Sequence, residues 1–173
     1  PTAPVFILDE TYTGASCTEK FNRIQEAIAK NGASAIILSA LDEIAWTLNL
    51  RGNDVHCNPV FISYLLISKE GYTLYILEEK ITDEVRNYLS NHQVNIKTYQ
   101  TLAEDLRTFA SEHQGVLQIS PLANEALYDL STRYADTIVA SSPVALMKAV
   151  KNETEQAGFR KAMERDGVAL VKF

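Results

Sequence analysis

Residues 40–64 read ALDEIAWTLNLRGNDVHCNPVFISY, a polar loop strung between two apolar runs. Just before it, Ala35–Leu38 is continuously apolar, the mark of a strand buried on both faces. Ser39 and Asp42 have the spacing of a capping box, in which each side chain satisfies a free N–H of a helix start. Ile44, Ala45 and Leu48 follow at helical spacing, with Trp46 off that face. Leu50-Arg51-Gly52 closes the turn, with Gly52 able to take a positive φ at no steric cost. Asn53, Asp54, His56 and Asn58 come next, and Pro59 pushes Asn58 towards an extended backbone. So many donors and acceptors mark a recognition edge, because scaffolds carry function on loops. The same residues also suit an ordinary solvated connection whose Asn and Asp side chains satisfy turn backbone.

Working outward, Val5–Leu8 reads as a strand and Thr11–Ala15 as a turn. Ser16 and Glu19 cap a helix with the apolar face Phe21, Ile24, Ala27 and Ile28, and Asn31-Gly32 stops it. Phe61–Ile67 and Tyr72–Leu77 form a hairpin closed at Gly71. Thr82 caps a helix carrying Val85, Tyr88 and Leu89, and Val94–Tyr99 is a strand. Thr101 and Glu104 are expected to cap the helix of Leu102, Leu106 and Phe109. Val116–Ile119 is a strand, Ser120-Pro121 opens a further helix, and Thr137–Ala140 is the last strand. Ser142-Pro143 starts the terminal helical region, in which Asn152 and Glu155 cap a helix carrying Phe159, Met163, Asp166 and Leu170. The alternation predicts an α/β three-layer sandwich with a mixed, mostly parallel sheet flanked by helices.

The chain has 173 residues, 46% of them hydrophobic, and a net charge of −6. That is enough for one domain with a real core. The charge is spread without blocks, which argues against a nucleic-acid surface, and no apolar run approaches the roughly 20 residues of a membrane span. The start PTAPVFILDE has no basic stretch before its apolar residues, so a signal peptide is not expected. A cytoplasmic protein with Cys17 and Cys57 as free thiols follows. A chain that opens on Pro1, and a last helix with no stop signal before Phe173, together suggest a piece of something longer. The apolar face of that helix, including Val168, Val171 and Phe173, is then expected to lie against another body, and if uncovered to promote self-association.

Enzymatic signatures are sparse. The glycines form neither G-x-G-x-x-G nor a P-loop, and there is no G-x-S-x-G elbow. His56, His92 and His113 are far apart, and none makes an H-E-x-x-H pair. His92 and His113 suit helix ends. The pairs Asp9-Glu10, Asp42-Glu43 and Glu78-Glu79 would need gathering into one cleft to do acid–base or metal work. An acidic cluster of Asp9 with Asp42 competes with the capping role of Asp42.

The stretch ALDEIAWTLNLRGNDVHCNPVFISYLLI, preceded by SAIILSALDE, resembles the second domain of the three-domain Xaa-Pro aminopeptidases. AVKNETEQAGFRKAMERDGVALVKF resembles the junction into their pita-bread catalytic domain, and TYTGASCTEKFNRIQ fits the opening of the same second domain. The resemblance implies a creatinase N-terminal-like domain with a ribonuclease H-like motif over residues 1–150, and over 151–173 the start of the first catalytic-domain helix. It implies a hydrolase that removes the N-terminal residue from peptides with proline second. Such enzymes use two divalent metal ions, commonly manganese, held by two Asp, one His and two Glu of the catalytic domain, and a metal-bridging water as nucleophile. No position here matches those ligands, so neither catalytic nor metal residues are expected in this chain and no cofactor is expected to bind it. Its implied partners are its own catalytic domain, a second copy of the parent in a homodimer, and the peptide substrate. The domain-interface or cleft-facing candidates are Trp46, Asn49, Arg51, Asn53, Asp54 and His56. The alternative reading is a protein-binding module of a peptidase-like protein that has lost its metal ligands. Prolidase fits less well, because its N-terminal domain lacks the NLRG-x-D-x-x-x-NPVF wording.

Overall fold

A computed structural model of the chain describes residues 1–112 and 115–173, so His113 lies outside the described residues. Strand β2 (Ala35–Leu38), buried at every position, is the inner strand from which the sheet extends both ways. On one side it pairs antiparallel with β4 (Tyr64–Ser68), and on the other parallel with β7 (Leu117–Ile119). With β5 (Tyr72–Ile76), β6 (Val94–Thr98) and β8 (Thr137–Val139) the order is β6-β5-β4-β2-β7-β8. Only β4 opposes its neighbours. The sheet is mixed and mostly parallel, and β5-β4-β2-β7-β8 is the ribonuclease H-like arrangement with β6 added at one edge.

Alternation along β2 feeds two cores. Ile36 and Leu38 join Phe21, Ile24 and Ile28 of α2 (Cys17–Lys30), Ile44 and Leu48 of α3 (Leu41–Leu48), Val85 and Leu89 of α4 (Asp83–Asn91), and Val144 of α7 (Pro143–Ala149). Ala35 and Ile37 face the other way, towards Leu106 and Phe109 of α5 (Leu102–Glu112) and Leu127 of α6 (Glu125–Tyr134). These are the three layers read from the sequence. Phe21 stacks on Tyr72 with ring centroids 3.8 Å apart, tying α2 to the hairpin strand β5.

Several local expectations are corrected. No side chain caps α3: its N-cap is Ala40, one residue past Ser39, and Asp42 pairs with Lys148 instead. Trp46 is not off the buried face, because α3 is enclosed from Glu43 to Leu48. The positive φ after α3 falls on Asn49 at 53°, not on Gly52. Gly52 is required for space: a Cβ there would lie 2.8 Å from the Phe61 Cβ and 3.2 Å from the Val60 carbonyl oxygen. Ser120-Pro121 makes a turn, and α6 starts only after Asn124, whose side chain accepts from Leu127 N–H. A 3₁₀ turn, Tyr99–Thr101, runs into α5, and Thr101 donates to the Thr98 carbonyl instead of capping.

The N-terminal strand shortens to β1 (Phe6–Ile7), which pairs antiparallel with β3 (Leu50–Arg51) in a separate small sheet. The expected turn after it is a one-turn helix, α1 (Glu10–Thr13), capped by Asp9. The last helix, α8 (Glu153–Lys172), carries the expected capping box between Asn152 and Glu155. No residue of α8 belongs to either core, and the helix packs beside α1. None of its residues is buried, and Phe159, Met163, Leu170, Val171 and Phe173 are all more than half exposed.

Candidate functional site

Helix α3 and the loop after it build the site. Asn49 ends α3 in the left-handed region and is wholly enclosed; its amide donates to the Ala15 carbonyl at 2.9 Å and its oxygen accepts from Lys20 at 2.5 Å. The Lys20 ammonium also donates to the Trp46 carbonyl at 2.8 Å and lies 4.3 Å from the Trp46 ring centroid. Lys20 is fully buried and makes no ion pair among the described residues. Burial pushes its pKa down to about 8, because removal from water penalises the charged form. The neighbouring Cys17 thiol, which donates to the Thr47 carbonyl at 3.3 Å, is pushed up to about 12 by the same burial.

On its other side α3 holds α8. The Trp46 indole N–H donates to one Glu155 oxygen at 3.1 Å, while the other oxygen accepts from the Asn152 backbone N–H. Asn152 donates to the Thr13 carbonyl at 2.8 Å. It sits so close to Gly14, whose φ is 65°, that a Cβ there would lie 2.7 Å from the Asn152 side-chain oxygen. Helix α7 is tied in through Ser142, whose hydroxyl donates to Glu43 at 2.6 Å, and through the Lys148–Asp42 pair. Trp46→Phe keeps the ring and removes one donor. Its urea midpoint is expected to fall by the equivalent of about 1 kcal/mol; an unchanged midpoint would mean that the link to Glu155 carries no stability.

A cleft of about 420 Å³ opens between α1, α3, the Asn58–Val60 segment and the base of α8. Trp46, Tyr12 and Phe159 supply aromatic wall, and Arg51, Lys148, Lys151, Asp42 and Glu155 supply charge. Arg51 donates through Nη1 to the Ala45 and Leu50 carbonyls at 2.9 and 2.8 Å. Burial holds its guanidinium below the ordinary value.

Of the sequence candidates, Trp46 and Arg51 line this cleft, and Asn49 lies beneath it as a fully buried support. Asp54 points elsewhere: its carboxylate pairs with Lys80, both side chains inaccessible to solvent, and accepts the Ile62 N–H at 2.7 Å. Asn53 and His56 are exposed on the loop. Lys20, Glu155 and Lys151 were missed. For Lys20 the signal was present, since it shares the helical face of Cys17, Phe21, Ile24 and Ile28. Glu155 reads only as a cap until its contact with Trp46 is seen.

Asp9 is spent on capping α1, and His92 ends α4 and bonds Thr18 at 3.1 Å. Both cysteines are free, Cys17 buried and Cys57 exposed. Among the described residues, no group of three or more His, Cys, Asp or Glu side chains could hold a metal ion. None of the described helices is long and apolar enough to cross a membrane.

A three-layer α/β domain of ribonuclease H-like topology, with its cleft at the base of an exposed helix, is the class that the fold defines. The chain belongs to the creatinase/prolidase N-terminal domain family, whose model matches residues 1–155. It is 39% identical over its whole length to a probable Xaa-Pro aminopeptidase P of Sordaria macrospora, and 39% identical to Xaa-Pro aminopeptidase 1 of Dictyostelium discoideum. It spans only 30% and 27% of those relatives' lengths. Among solved structures it resembles the X-prolyl aminopeptidase of Caenorhabditis elegans, described as a cytosolic enzyme with a di-nuclear active site. That match has a TM-score of 0.92 and 28% identity over 98% of this chain and 28% of the other.

Proposed function

We propose that the chain is a non-catalytic domain of a metal-dependent Xaa-Pro aminopeptidase, a hydrolase that removes the N-terminal residue preceding proline. The observation that carries this reading is the near-complete fit to the Caenorhabditis elegans enzyme, which takes in α8 as well as the sandwich. Residues 1–150 act as the accessory domain, and 151–173 begin the first helix of the catalytic pita-bread domain. The accessory domain packs on the catalytic domain, limits access to its cleft and supports a cytoplasmic homodimer. Two divalent metal ions, manganese in this reading, belong to the catalytic domain.

The test compares the full-length parent with the 173-residue chain on a peptide with proline second and on its alanine-second analogue. The parent is expected to cleave the first peptide and spare the second, to lose activity to a chelator and to regain it with Mn²⁺. The chain alone is expected to cleave neither. A parent inactive on the proline peptide, or an active isolated chain, would overturn the proposal.

A further inference from the structure

The cleft beside Arg51 has unbalanced electrostatics. Arg51, Lys148 and Lys151 face two carboxylates, Asp42 and Glu155. Asp42 is taken by Lys148. Both Glu155 oxygens are occupied by the Trp46 indole and the Asn152 N–H. Lys151 donates to the Lys148 carbonyl at 2.7 Å. Arg51 is hydrogen-bonded to two neutral carbonyls through one nitrogen; the Glu155 charge reaches it from across the cleft, but it enters no ion pair among the described residues. A guanidinium is tolerable at a wetted cleft mouth, but it becomes costly when water is excluded unless a carboxylate arrives with whatever excludes it.

The same cleft is continuous with the apolar ridge of α8. Phe159 belongs to both: it lines the cleft with Gly158 and Ala162, and it heads the exposed series Phe159, Met163 and Leu170 at helical spacing. A body that covers the ridge must also stand over the cleft mouth. Gly158 and Ala162 leave room there for a side chain to enter beside Arg51.

We propose that the Arg51 cleft is a docking socket for an aspartate or glutamate side chain carried by the catalytic domain that covers α8, paired through the fork of the guanidinium. This rests on the reading above that α8 begins such a domain and that the rest of it folds back over the helix. The planar guanidinium suits a two-point grip on a carboxylate, which a lysine cannot reproduce, while Trp46 and Phe159 wall the socket and keep water from the pair.

The direct test places an amine where the guanidinium stands. In full-length parent bearing Arg51→Lys, a water-soluble carbodiimide joins an amine only to a carboxylate in contact with it. The expected product is a cross-linked peptide, identified by mass spectrometry, between position 51 and an Asp or Glu beyond residue 173. Linkage only to Asp42 or Glu155, or no linkage, would overturn the proposal. Arg51→Met supplies a second reading. It is expected to lower the melting temperature of the parent by about 3 °C or more beyond its effect on the 173-residue chain, because only the parent loses a desolvated pair. Equal effects in both would also count against the socket. A parent with the cross-link but no Xaa-Pro cleavage would sink the functional reading and leave the socket standing.

Discussion

Asp54→Ala is expected to destabilise the chain by about 3–5 kcal/mol. Asp54 and Lys80 are paired with both side chains cut off from solvent. The Asp54 carboxylate also accepts the Ile62 N–H at 2.7 Å, and Lys80 also donates to the Pro1 carbonyl at 3.3 Å. The pair thus pins the loop after β3 to the turn Glu78–Lys80 and to the N-terminus. Alanine removes the negative partner and leaves an ammonium enclosed without compensation, which costs more than the pair itself contributes. Urea unfolding at constant m-value reads the loss. Adding Lys80→Met to Asp54→Ala removes the stranded charge and is expected to recover most of it. If the double variant is as unstable as the single, stranded charge is not the cause.

The second large effect is a pH slope carried by Lys20. Its pKa falls from 10.5 unfolded to about 8 folded, so between these values the unfolded chain binds more protons and stability rises with pH. Cys17 acts in the opposite sense: raised from 9.0 to about 12, it keeps its proton when folded and lowers stability as pH rises above 9. Cys17 and Lys20 act on each other's charge, so the lysine is isolated in a Cys17→Ala background, by comparing Cys17→Ala with Cys17→Ala/Lys20→Met. From pH 8 to 10.5 the single variant is expected to gain about 3 kcal/mol on the double. A gap that stays flat across this window would show that Lys20 titrates normally in the folded chain.

Where one local rule governs, the fold was legible. AIIL at 35–38 announces a strand buried on both faces and proves to be the inner strand that both cores share. The caps Ser16, Thr82 and Asn152 sit where a hydroxyl or amide precedes an amphipathic run, and all three accept the expected backbone N–H. The spacing rules failed where two signals competed. Ser39 falls one residue short of the N-cap of α3, which is Ala40, and Asp42 meets Lys148 from a helix more than a hundred residues away. Pro121 suited a helix start, yet Asn124 captures it by accepting Leu127 N–H.

The site was legible in part. A loop dense in Asn, Asp and His drew attention to residues 49–58, and Trp46 and Arg51 line the surface cleft between α1, α3 and α8. The loop's polar groups, however, divide between inside and outside: Asn49 and Asp54 are consumed by Lys20 and Lys80, two lysines whose enclosure depends on contacts far along the chain. Glu155 joins α8 to Trp46 across 109 residues of sequence, a relation that periodicity cannot register.

Amide hydrogen exchange, measured on the 173-residue chain and on the full-length parent, tests most directly the proposal that the rest of a larger enzyme covers the cleft and the exposed side of α8. Amides from Phe159 to Leu170 are expected to exchange fast in the chain, by local opening of a helical stretch that is exposed throughout, and to become strongly protected in the parent, while those of β2, already enclosed, change little. Equal exchange of α8 in both proteins would contradict it.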